Sequence, residues 1–278
     1  MIQIVTDSAS DITQDEAREL NIHVVPLKIE FSDGEFPNNS LEDYQKFFKK
    51  LEESKDLPKT SSPSPALYLD IYNKAKEDSD QVIVISLSSG LSGTYESSLL
   101  AKNMIDYEDI FVIDSCQAIP AQRLLVEHAV KMRDQGYTAE EIVNEIESLK
   151  HKVSVSGLLD TLTYLAKGGR IPKSIELIGN ALSIKPSIIL EDKILQSLKL
   201  SRGRKSGKKA LWKNFEKDFD PSYPVIFAYT SNEELGKEFM EETKEKYGLT
   251  DTKLVAIGGV IGTHVGGNGI SIAYVKKD

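Results

Sequence analysis

The stretch Val82-Ile83-Val84-Ile85, then Ser88-Ser89-Gly90-Leu91-Ser92-Gly93-Thr94, then residues 95–104, decides how this chain is read. The β-branched run predicts a buried strand and residues 95–104 predict a helix. Between them lies a turn with two glycines and four hydroxyls, more than a plain connection needs. Glycine lets backbone approach a ligand closely, and a helix start offers N–H groups and a partial positive charge. Strand, turn and helix therefore predict a cradle for a small anionic group. A Walker loop is excluded, because no lysine precedes the terminal hydroxyl. The Gly-x-Ser-x-Gly spacing of a hydrolase nucleophile elbow is missing as well.

The surrounding sequence repeats this alternation. Residues 2–5 predict a strand ending in Thr6-Asp7-Ser8, and Thr13 with Glu16 forms a capping-box pattern for the next helix. A second strand is expected over 24–29 and a helix capped by Ser40 over 41–51. Thr60-Ser61-Ser62-Pro63-Ser64-Pro65 reads as a stiff loop, with a helix opening at Pro65 or Ala66. Another strand over 110–113 ends in Asp114-Ser115, and helices follow near 122–135 and 138–150. This pattern is that of a parallel sheet flanked by helices, whose ligands lie outside the carboxyl ends of the strands. The hydroxyl-rich turns after three strands are therefore expected to converge on one site.

The second half reads differently. A strand over 153–158 leads to a short helix over 161–167, stopped by Gly168-Gly169-Arg170. Residues 188–190 and 194–200 predict an antiparallel hairpin. Strands over 224–230 and 254–257 enclose a helix over 233–247, and 270–275 is a last strand. The expected fold class is α/β: a parallel-sheet α/β/α domain over 1–155 and an α+β domain over 156–278, with the ligand near their junction.

Composition narrows the function. The 278 residues carry a net charge of −9, which argues against a general nucleic-acid binder. One cysteine, Cys116, excludes an internal disulfide and a multi-cysteine metal site. The opening Met1-Ile2-Gln3-Ile4-Val5-Thr6-Asp7 reads as a strand, not a signal peptide, and no apolar run nears the ~20 residues needed to span a bilayer. The expected location is the cytoplasm.

Three further segments stand out, each with a plain reading beside the functional one. Residues 258–269 hold six of the chain's 18 glycines and His264, and read as a glycine-rich loop approaching a ligand. Gly168-Gly169-Arg170 is either a helix stop or a guanidinium presented to an anion, the stop being favoured. Residues 199–209 hold six basic residues and no acid, either a solvated face or a phosphate or docking site.

These motifs, in this order, resemble the DegV family of bacterial lipid-binding proteins, which includes the fatty-acid-binding subunits of fatty-acid kinase. The matching segments include Thr6-Asp7-Ser8, Thr60-Ser61-Ser62-Pro63-Ser64, Ser89 to Thr94, Asp114-Ser115, Leu159 to Ile171, Lys185-Pro186 and Ile261-Gly262-Thr263-His264-Val265-Gly266. The resemblance implies a long-chain fatty acid in a buried tunnel, its carboxylate held by Thr60, Ser92 and His264, with backbone N–H groups near Gly93 and Gly266. It implies that Arg170 and Arg202 serve an acyl-phosphate or the docking of a kinase subunit. Cys116-Gln117-Ala118-Ile119-Pro120-Ala121-Gln122 stands where the family has a glycine-containing stretch, and Gly266-Gly267-Asn268-Gly269 replaces Gly-Pro-Gly.

The expected activity is thus that of a carrier without catalysis, cofactor or metal, presenting the carboxylate to a fatty-acid kinase catalytic subunit. Membrane contact is expected to be transient at most. The alternative is an acyl hydrolase or transferase with Ser92 as nucleophile and His264 as base, oriented by Asp7 or Asp114. A sugar-phosphate or nucleotide binder is a third reading.

Overall fold

The computed structural model describes residues 1–171 and 184–277. Four parallel strands form the first sheet: β1 (Ile2–Asp7), β2 (Ile22–Val25), β6 (Gln81–Ser86) and β7 (Ile110–Asp114), in the order β2-β1-β6-β7. Their side chains alternate between two apolar clusters. Val82 and Val84 face α3 (Pro65–Asp78) and α4 (Thr94–Asn103), while Ile83 and Ile85 face the cluster containing α5 (Pro120–Asp134). A strand buried on both faces must be apolar at every position, which explains the unbroken β-branched run.

The second sheet has six strands in the order β10-β9-β8-β13-β11-β12. These are β8 (Val153–Leu158), β9 (Ile184–Glu191), β10 (Ile194–Arg202), β11 (Val225–Tyr229), β12 (Thr252–Ala256) and β13 (Ile270–Val275). All neighbours are antiparallel except β11 and β12, which are joined by α9 (Glu233–Tyr247). The hairpin β9–β10 turns at Asp192 and Lys193, both at positive φ (48° and 70°), as the tightest hairpin turns require. The expected division at 155/156 falls inside β8, all of which pairs within this sheet.

Helix α5 lies between the sheets, touching β1 and β6 on one side and β8, β11 and β13 on the other. Helix α6 (Ala139–Leu149) lies beside it, and α8 (Arg204–Asp218) and α9 cover the far face of the six-stranded sheet. The parallel-sheet half and the sheet-rich second half are both as the sequence predicts.

Three expectations are corrected. Residues 24–29 are not one strand: β2 ends at Val25, Pro26 has no N–H to continue the ladder, and β3 (Lys28–Phe31) turns into a separate antiparallel sheet. That sheet also holds β4 (Gly34–Phe36) and β5 (Lys59–Ser61), so the expected loop at Thr60 begins as a strand paired with β3. Third, residues 258–269 are not simply a loop: Gly259–Val265 form helix α10. Its glycines serve packing. A Cβ on Gly259 would lie 2.6 Å from Phe47 and one on Gly262 would lie 2.7 Å from Phe48, both aromatics on α2 (Leu41–Glu53).

Asp11 fastens this helix, its Oδ1 accepting the Gly258 N–H at 2.9 Å. Burial pushes the Asp11 carboxyl up to about 8, against the Gly258 N–H and the charge of Arg123, which pull it down. Its second oxygen is buried without a partner, so ionisation would leave charge on an unsatisfied atom.

Two outcomes follow for stability. Gly259→Val should lower it by about 1–3 kcal/mol, read from the urea midpoint at unchanged m-value. Between the ordinary 3.8 and about 8, the folded chain retains an Asp11 proton that the unfolded chain has released, so this group's contribution falls as pH rises through that window. Asp11→Asn cannot ionise and keeps the acceptor; the difference between urea midpoints at about pH 5 and about pH 8 should shrink.

Candidate functional site

Where α10, β5 and the turn after β6 meet, a cavity of about 230 Å³ opens. Its polar end carries Thr60, Ser62, Ser92, Gly93, Arg170 and His264. Its body is apolar, lined by Leu27, Leu87, Leu165, Ile188, Leu195 and Val260, among others. A second cavity of about 40 Å³ continues inward, sharing Ala118, Ile119, Ile188, Leu195 and Val265 with the first. Together they form an apolar sleeve between the two large sheets, whose mouth among the described residues is the polar end at Thr60, Ser92 and His264.

Each polar group is fixed by the element that carries it. Thr60 sits on β5 and His264 in the last turn of α10; Thr60 Oγ1 and His264 Nε2 are 2.9 Å apart, in hydrogen-bond contact. Ser92 Oγ lies between Ser62 Oγ at 3.0 Å and Thr94 Oγ1 at 2.8 Å, a chain of three hydroxyls. Gly93 is the N-cap of α4, and no side chain caps that helix. Its uncapped first turn is the anion-favouring end expected at this turn. Arg170 follows the glycines that end α7 (Thr163–Lys167), Gly169 at φ +68°, and its Nε donates to Leu91 O at 3.4 Å. The segment is therefore both a helix stop and a guanidinium at the mouth.

His264 is held neutral. Burial, and secondarily the charge of Arg170, push it down from 6.5 to about 4. Gly168 packs so closely that a Cβ there would lie 2.3 Å from His264 Nδ1, and that nitrogen is buried without a hydrogen-bond partner.

Of the residues singled out from sequence, Thr60, Ser92, Gly93, His264 and Arg170 meet at this mouth. Two do not. The Gly266 N–H donates to Gly262 O at 2.8 Å inside α10, with Tyr164 packed where a side chain would stand, so it is not available to a ligand. Arg202 ends β10 exposed and lines neither cavity. Within the basic run, Lys208 is buried with its Nζ 2.8 Å from both Glu238 and Glu242, and Arg204 pairs with Asp160 at 2.7 Å; these two brace the fold.

The expected convergence of three strand-end turns is also corrected. Asp7 is wholly buried, accepts from Leu87 N, Ala9 N and Gln122 Nε2, and is pushed up to about 6 by burial. Asp114 accepts from Ser89 Oγ and Cys116 N and pairs with Lys193 at 2.7 Å. Burial works against this carboxylate's charge, but the Lys193 contact and the other hydrogen bonds hold it below the ordinary range. Both carboxylates are spent on the frame, and neither orients His264.

Sequence reasoning missed Ser62 and Lys193. Ser62 stood inside a quoted motif, but its contact with Ser92 is tertiary. Lys193, at the hairpin tip, docks on the Ser88–Gly90 end of the turn, where Ser88 Oγ donates to Lys193 O at 3.1 Å. The hairpin was legible; where its tip lands was not. Cys116 (φ 55°) and Ile119 (φ 57°, ψ −133°) adopt positive-φ backbone uncommon outside glycine, and rarest for a β-branched residue such as Ile119, in the segment where the family resemblance places glycine.

Fold and site together define a class: an α/β protein whose apolar sleeve, between its two large sheets, opens at a mouth of hydroxyls and a neutral imidazole. The chain belongs to the DegV family; the family model, described as "Uncharacterised protein, DegV family", matches residues 1–277. A DegV domain-containing protein of Caldanaerobacter subterraneus subsp. tengcongensis is 32% identical over 281 residues, covering 99% of each chain. The crystal structure of a DegV lipid-binding protein from Thermotoga maritima superposes with a TM-score of 0.89 at 29% identity, covering 99% of each chain. That of the Streptococcus pneumoniae Fatty Acid Kinase B3 protein, loaded with linoleic acid, gives 0.86 at 25% identity over 100% of both chains.

A titration checks the electrostatics of the mouth. The His264 ring signals in an NMR pH series should show a midpoint near 4, well below the ordinary 6.5. Arg170→Gln should raise that midpoint while leaving it below the ordinary value, because burial is the larger cause.

Proposed function

We propose that this protein binds a long-chain fatty acid, the tail in the apolar sleeve and the carboxylate at the Thr60–Ser92–His264 mouth, and presents that carboxylate to a fatty-acid kinase. The observation that carries the reading is the continuity of the sleeve with a mouth built almost wholly of neutral donors. Burying the tail contributes ~0.8 kcal/mol per CH₂. The carboxylate then needs hydrogen bonds to compensate its lost hydration. With the imidazole proton on Nε2, His264 donates to Thr60 Oγ1 and the threonine hydroxyl proton is left to point into the cavity. Ser92 and the amides opening α4 complete the set. Relatives described as lipid-binding or loaded with linoleic acid support the same ligand class.

On this reading the protein is a carrier and the phosphoryl chemistry belongs to a partner kinase. Arg170, at the mouth, is assigned to the acyl-phosphate product, and exposed Arg202 to kinase docking. The hydrolase reading is the weaker one. Ser92 contacts hydroxyls, His264 contacts Thr60, and His264 Nδ1 has no orienting carboxylate among the described residues, so these residues do not assemble the relay from nucleophile to base to acid.

Binding of oleate, followed by displacement of a fluorescent fatty acid, tests the proposal. Ser92→Ala and His264→Ala should each weaken oleate binding roughly 10- to 100-fold, the size of a hydrogen bond to a charged group, with the melting temperature little changed. Unchanged affinity in both variants would overturn the site. Turnover of p-nitrophenyl acyl esters that disappears in Ser92→Ala would overturn the carrier reading in favour of an acyl hydrolase.

A further inference from the structure

The second cavity is lined by a polar atom that nothing among the described residues satisfies. Ser271, on β13, is 5% exposed and lines this cavity, and its Oγ has no hydrogen-bond partner. Buried hydroxyls are nearly always bonded, so an unpartnered one lining an open space points to a ligand atom as its partner. Ser156, Ser187 and Ser201 of the same sheet also have buried unpartnered hydroxyls, but they line neither cavity. Ser271 is the one aimed at the sleeve.

The space before it is kept open. Gly157 is paired with Ser271 across β8 and β13, and a Cβ there would stand 3.5 Å from the serine Cβ and 3.8 Å from Ile188. Thr230 adds a second hydroxyl to the same wall. Its Oγ1 accepts the Gly269 N–H at 2.7 Å, which leaves its proton able to donate. The remaining lining includes Ala118, Val155, Leu159, Ile257 and Val265. A water in so apolar a space would find at most two side-chain partners against the usual three. An oxygen carried on a hydrocarbon chain suits the space better, because its neighbouring carbons fill the apolar remainder.

We propose that this end of the sleeve is a subsite for an oxygen substituent, a hydroxyl or keto group, in the half of the acyl chain remote from the carboxylate. The inference rests on the fatty-acid reading above. It makes Ser271 a specificity determinant: it bonds an oxygenated chain and is left unpaired by a plain one, while Ile119, in the wall common to both cavities, is passed by either.

The test compares stearate with a series of hydroxystearates whose hydroxyl steps along the distal half, on the wild-type chain and on Ser271→Ala. For at least one isomer, the ratio of stearate to hydroxystearate Kd should be about tenfold larger in wild type than in Ser271→Ala, the weight of one hydrogen bond. Stearate itself should bind both proteins with similar strength. Equal ratios for every isomer, the result expected if a water alone occupies the subsite, would overturn this inference while leaving the fatty-acid reading intact. Failure of stearate and all hydroxystearates to bind either protein would overturn both.

Discussion

Helix α5 is the constraint on which the architecture depends. Ten of its fifteen residues are buried, too many for one face of a helix, because it packs on the parallel sheet and the six-stranded sheet at once. Its one buried charged residue, Arg123, is 1% exposed and is held by Glu16, Glu127 and the Asp11 carbonyl. A buried guanidinium is tolerable only with such a full set of acceptors. That set ties α5 to α1 (Gln14–Glu19) and to the turn that fastens α10. Ile119, the N-cap of this helix, lies in the wall of both cavities, so the position of α5 sets the bore of the sleeve.

The mouth follows a consistent electrostatic logic. The acids nearest the strand ends, Asp7 and Asp114, are consumed by backbone amides and by Lys193, which clears negative charge from the place where an anion would sit. Among the described residues, what remains at the mouth is hydroxyl, amide, neutral imidazole and one guanidinium. On the proposed reading this set suits a single carboxylate better than a phosphate. A doubly charged group such as the acyl-phosphate would ask for a cation besides Arg170, and since the basic residues of the 199–209 run are exposed elsewhere or already paired, the proposed reading leaves that second cation to the kinase.

The fold was largely legible because its signals are local. Unbroken β-branched runs marked the parallel strands, and Thr13, Ser40 and Thr138 announced helices that begin where their capping boxes say. The errors arose where tertiary demands use the same residues for another purpose. Glycines at 258, 259 and 262 look like a ligand loop, yet they are the small residues of a helix pressed against Tyr44, Phe47 and Phe48. Thr6-Asp7-Ser8 looks like a binding turn, yet Ser8 Oγ accepts Leu27 N and Asp7 closes the ends of β1 and β6. Of the mouth, only the Ser88–Thr94 turn was legible from its own residues, as a glycine- and hydroxyl-rich helix start; Thr60, Ser92 and His264 as a set came from the family resemblance. The sleeve was not legible, since its walls come from strands and helices far apart in sequence. No periodicity distinguishes an apolar residue facing a cavity from one facing another side chain.

The strand order of the second sheet has a consequence for how the protein is made. Strand β13 is the last of the described strands to leave the ribosome, yet it lies between β8 and β11 in the middle of the sheet. Thr60 and its partner His264 are separated by 204 positions. At roughly 5–20 residues per second, they are synthesised about 10–40 s apart. During that interval the parallel sheet can collapse on α3 and α4, but half of the mouth does not yet exist and the sleeve has no inner wall. Ligand can be enclosed only once β13 has been made and paired. The nascent protein must therefore keep the apolar surfaces of α5 and β8 from other partners until the final strand arrives.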